Sequence, residues 1–114
     1  MVNNSVNSQE ITSLILKDFM LEPTHAQMSE EEMIDYLADA IAYMMEHKMD
    51  YLLSLLYRLD VAEEQINQAL RPAQVLPANF ALAQLVWARQ KQRILTKKMF
   101  RQRNSDNWDW NDDI

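Results

Sequence analysis

Apolar residues recur at three- and four-residue spacings through most of this chain, the period of a helix with one buried face. The clearest run is Met33, Leu37, Ile41, Met44 and Met45. Ser29 stands just before it, with Glu32 three positions on, which spells a capping box. Glu30, Glu31 and Glu32 put negative charge at the positive end of that helix, and His47 and Lys48 fall in its expected last turn. An earlier helix is expected from a Ser8 cap to about Glu22, on Ile11, Leu14, Ile15, Phe19 and Leu21, with Pro23 as its stop.

Further on, Asp50 is a cap candidate for a short helix carrying Leu52, Leu53, Leu55 and Leu56. Asp60, with Glu63 three residues later, suggests a cap for a fourth helix over Val61 to Leu70. Arg71 to Pro77 reads as the main loop. A last helix is expected from near Ala78 to about Arg103, apolar at Leu82, Leu85 and Val86 and increasingly basic beyond them. The pattern predicts an all-α fold: a small bundle of four to five helices with a flexible acidic C-terminal tail. Residues 1–7 are expected to be disordered, 8–103 to form the helical domain, and 104–114 to be the tail.

Composition narrows the picture. A length of 114 residues suits one domain with a modest core. Cysteine is absent, so disulfides, thiolate metal sites and thiol catalysis are all excluded from this chain. Glycine is absent too, which argues against phosphate-cradling loops and tight β-hairpins. Residues 1–8 carry no Lys or Arg, and charges interrupt every apolar stretch well short of a bilayer span. A cytoplasmic protein, without membrane contact, is the expectation.

Charge is segregated. The overall net of −6 combines −10 over residues 1–70, +8 over residues 71–103 and −4 over residues 104–114. Arg89, Lys91, Arg93, Lys97, Lys98, Arg101 and Arg103 crowd the last helix, with Phe100 among them. Such a cluster attracts RNA or DNA through counterion release, and Phe100 suits stacking on an unpaired base. It also suits an acidic protein partner. A third reading is complementarity within or between subunits, with Glu31, Asp35 and Asp39 on the acidic helix facing the bases.

The tail holds two of the three tryptophans, Trp108 and Trp110, among Asp109, Asp112 and Asp113, and ends on Ile114. Aromatic residues dominate binding hot spots, and the acids steer a segment toward a basic-rimmed apolar pocket. The tail is therefore a candidate docking peptide. A fold-back onto Arg101 or Arg103 by cation–π contact is the alternative, and it would make the tail a competitor of nucleic acid. Asp112-Asp113-Ile114 resembles the acidic, apolar-ended tips of bacterial single-stranded DNA-binding proteins, which recruit partners. Their Pro-Phe ending is missing here, so only the style of docking is implied.

Catalytic and metal chemistry finds little footing. Glu22 and His25 have the Glu-x-x-His spacing of di-iron bundles, but Pro23 lies between them and no second pair exists. Glu31 with Asp35, and Glu63 with Glu64, are acidic pairs without a nucleophile motif nearby. Met33, Met44, Met45 and Met49 read as core fillers rather than a partner-gripping groove. Trp87, Tyr36, Tyr43, Tyr51 and Tyr57 read as core or core rim. No catalytic residue, metal site or cofactor is expected.

Two stretches resemble known sequences. Tyr57-Arg58-Leu59-Asp60-Val61 with Glu63-Glu64 and Ile66, and Leu82 to Leu85 with Arg89-Gln90 and Thr96-Lys97-Lys98, are similar to small uncharacterised helical proteins of bacteria. The likeness spans roughly residues 30–102 and implies a helical fold without a known activity. Together these features favour a non-enzymatic adaptor that binds another protein through its tail. The alternative is an RNA- or DNA-associated protein that uses the basic helix. A homo-oligomer is compatible with both.

Overall fold

The computed structural model describes residues 6–22, 28–72 and 75–104, with side chains as far as Arg101. Five helices follow one another in the described residues: α1 (Ser8–Asp18), α2 (Glu30–His47), α3 (Met49–Arg58), α4 (Glu63–Ala69) and α5 (Ala78–Asn104). No strand occurs among the described residues. The all-helical expectation is met. Residues 105–114, which hold most of the expected tail, lie outside the described residues.

The helix starts are set by local hydrogen bonds. In α2, the Ser29 hydroxyl accepts from the Glu32 N–H at 3.1 Å and the Glu32 carboxylate accepts from the Ser29 N–H at 2.9 Å, as the sequence indicated. At α1 the cap is Asn7, one residue before the expected Ser8. Its side chain accepts from the Gln9 N–H at 2.7 Å, and Glu10 accepts from the Asn7 N–H at 3.1 Å. Val6, just before this cap, packs on the core.

Two helix ends are unusual because the chain has no glycine. α1 stops at Asp18, not at Glu22, and Pro23 is not what stops it. Met20 turns left-handed at φ 54°, the Leu21 N–H reaches back to the Leu16 carbonyl at 2.8 Å, and the Met20 N–H reaches the Lys17 carbonyl at 3.2 Å. That pair of bonds is a Schellman ending, normally closed by glycine. α3 ends the same way. Asp60 has φ 65°, and Val61 donates to the Leu56 carbonyl at 3.1 Å. Asp60 thus closes α3 rather than capping α4, whose N-cap is Ala62 without a side-chain bond. Asp50 likewise lies inside the first turn of α3, and Lys48 bridges α2 to α3.

The first half of α5 is the centre of the bundle. Leu82, Ala83, Val86, Trp87 and Gln90 are buried along one face, packed by α2, α4 and α1. α2 contributes Met33, Leu37, Ala38, Ile41 and Met44, and α3 contributes Leu52, Leu55 and Leu56. Met45 and Met49 are half-buried against this core, so all four of the methionines named above fill it. Trp87 is buried as expected, whereas Tyr43, Tyr51 and Tyr57 are exposed at 57%, 42% and 46%. Each adjoins a buried position, Met44, Leu52 and Leu56 respectively, but lies on the outward side of its helix. Tyr36 is half-buried, with its hydroxyl donating to the Glu22 carbonyl at 2.7 Å. No helix of the described residues is long and apolar enough to cross a membrane.

Candidate functional site

α1 and α5 run antiparallel, in a register fixed by two polar contacts. The fully buried Gln90 side chain donates to the Asp18 carboxylate. Eight residues along each helix, Lys98 Nζ meets Glu10 Oε1 at 2.9 Å. An eight-residue step is about 12 Å on either helix, so the two contacts are compatible with straight, side-by-side packing. The Lys98 ammonium, and after it the Asn7 N–H, hold the Glu10 carboxyl below its usual range. Arg93 completes the inner contact by donating to Gln90 Oε1 at 3.2 Å.

Between these contacts lies an open groove of about 570 Å³, within the size range of ligand clefts. α1 contributes Glu10, Ser13, Leu14 and Lys17, one helical face at i, i+3, i+4 and i+7. α5 contributes Arg93, Ile94, Lys97, Lys98 and Arg101. The lining has five bases and one acid around two aliphatic side chains. Among the described residues, no carboxylate pairs with Lys17, Lys97 or Arg101.

The groove continues the core face of α5. Ala83, Trp87 and Gln90 are buried, and the same alternating steps of four and three lead on to Ile94, Lys97 and Arg101. After Gln90 no described residue of α5 is buried. There α1 is the neighbour found among the described residues, as the Glu10–Lys98 pair shows, and the face changes from apolar to basic. The seam that packs the bundle at one end is thus left half-covered at the other.

The predicted basic residues separate into groups. Arg93, Lys97, Lys98 and Arg101 converge on the groove. Arg89 is engaged elsewhere: its Nε donates to the Leu59 carbonyl at 2.9 Å and its guanidinium lies 3.6 Å from Asp60. It tethers α5 to the left-handed end of α3. Lys91 is exposed and does not line the groove, and Phe100 is exposed at 51%. The side chain of Arg103 lies outside the described residues, as do Trp108, Asp109, Trp110, Asp112, Asp113 and Ile114. Glu31, Asp35 and Asp39 are exposed, and the ion pairs described for α5 go to Glu10 and Asp60 instead.

Sequence reasoning missed Lys17, Leu14 and Ser13. Lys17 sits in the acidic half of the chain, and only its helical spacing from Glu10 and Leu14 signalled a shared face. His25 lies outside the described residues, and His47 stacks on Tyr43 with ring centroids 4.4 Å apart. No family model, curated protein or solved structure matches this chain.

Proposed function

We propose that this protein is a non-enzymatic interaction module whose α1–α5 groove receives an acidic segment, bearing apolar side chains, of another protein. One observation carries the reading: five basic side chains from two helices surround Leu14 and Ile94 in a half-covered continuation of the core seam. Basic side chains at a rim select acidic partners and speed encounter, and an apolar floor adds the desolvation energy that a charged surface lacks. The groove lining offers one hydroxyl, Ser13, without a histidine beside it, so it is better equipped to bind than to react. In the same reading residues 108–114 are a docking peptide.

Nucleic acid is the second reading. The exposed Phe100, one residue from Arg101, favours it by offering a stacking surface beside phosphate-binding charge.

Charge reversal separates the two. Lys97 and Arg101 are replaced together by Glu in the full chain, and capture from lysate of the source cell is compared with the parent, with and without nuclease. Both positions are exposed, so the bundle keeps its core. The expected result is a bound protein that survives nuclease and is lost on reversal. Co-purifying nucleic acid, with every protein lost on nuclease treatment, would support the second reading instead.

A further inference from the structure

The chain carries its own segment with the chemistry this groove selects. Residues 105–114 contain four Asp and no base, together with Trp108, Trp110 and Ile114. They follow α5 directly, and α5 forms one wall of the groove as far as Arg101. Charge and apolar content therefore match on both sides: Lys17, Lys97 and Arg101 against the aspartates, Leu14 and Ile94 against the tryptophans.

The reach is sufficient. From Asn104 back to Arg93 along α5 is about 16 Å at 1.5 Å per residue. Ten residues extend to at most about 33 Å. If a four-residue turn reverses the direction, about six residues remain and span about 20 Å, enough to cover the groove. In extended form, the six remaining residues put Trp110, Asp112 and Ile114 on one side and Asp109, Asn111 and Asp113 on the other, with Trp108 at the turn. Trp110 and Ile114 can then meet the aliphatic floor while Asp109 and Asp113, and Asp112 between the apolar pair, reach the basic rim.

We propose that residues 105–114 of this chain seat in the α1–α5 groove of the same molecule and compete there with the acidic partner. This rests on the reading of the groove as a seat for acidic segments. A short tether gives an effective concentration in the millimolar range, so a partner displaces the segment only if it binds more tightly than that competition allows. A partner that also engages the released tryptophans gains twice.

The absence of native cysteine makes a direct test simple. Ser13, an exposed groove residue, is replaced in the full chain by Cys and labelled with bimane, a fluorophore quenched by tryptophan in contact. Emission is expected to rise severalfold when Trp108→Ala and Trp110→Ala are added, and to rise likewise with Lys97→Glu and Arg101→Glu. Quenching is expected to be independent of protein concentration. Emission unchanged by removal of both tryptophans would overturn the proposal. Quenching that disappears on dilution would overturn it too, by assigning the segment to the groove of a second copy. If the tryptophan variants leave emission unchanged while charge reversal still abolishes partner capture, the groove reading stands and the self-docking fails. If charge reversal affects neither readout, the groove reading itself fails.

Discussion

Met20 and Asp60 carry a cost that glycine would remove. Both are left-handed, at φ 54° and 65°, in a chain without glycine. A residue with a Cβ loses about 1–2 kcal/mol in that conformation. Met20 is 80% exposed and so returns little of this through burial. Met20→Gly is accordingly expected to stabilise the fold by about 1 kcal/mol, after the added unfolded-state entropy is deducted. Urea denaturation measures it, and an unchanged or lower midpoint would count against the Schellman ending at Met20. Asp60 is a different case, because its carboxylate lies 3.6 Å from Arg89 and its replacement would remove a tether. These two residues also show what a sequence can conceal. Helix-ending signals are written largely in glycine and proline. Without glycine, Pro23 drew the expected end of α1 four residues too far, and Asp60 looked like a start when it is an end.

At the level of elements, the helices themselves were legible. Apolar spacing together with cap candidates located all five, and the Ser29–Glu32 box fixed the start of α2 to the residue. The pairing of α1 with α5 was not legible, because it joins residues 72 to 88 positions apart through polar contacts, Asp18 with Gln90 and Glu10 with Lys98. Periodicity reports which face is buried, not which helix covers it. The basic half of α5 looked ragged because the seam through Ile94, Lys97 and Arg101 changes from apolar to charged while keeping its spacing. The Glu10–Lys98 pair makes this packing sensitive to acid. The Glu10 carboxyl is held below its usual range in the folded state. Its contribution to stability is therefore complete above the ordinary carboxylate range and is lost as pH falls through the lowered folded value. Glu10→Gln is expected to lower the melting temperature near neutral pH and to match the parent in acid, with a smaller difference at high salt. Parallel melting curves across pH test this; a constant difference at every pH would contradict it.

For the whole molecule, charge segregation along the sequence becomes a spatial arrangement only in part. The acidic residues Glu31, Asp35 and Asp39 stay at the surface of α2, while the bases of α5 divide between a tether to α3 and the groove beside α1. What sequence presented as a basic helix is thus a two-helix groove with a mixed lining. The property we propose for it is preference for an acidic segment with apolar side chains over a nucleic acid backbone. Amide-resonance mapping of the isotope-labelled full chain tests that preference most directly. The chain, carrying Trp108→Ala and Trp110→Ala so that its own segment no longer fills the groove, is titrated in parallel with a synthetic peptide of residues 105–114 and with a single-stranded oligonucleotide. The peptide is expected to shift Ser13, Lys17, Ile94 and Lys97 and to leave α3 and α4 unmoved, while the oligonucleotide perturbs these groove residues less at physiological salt. Shifts absent from the groove, or an oligonucleotide that occupies it more tightly than the peptide, would contradict the account.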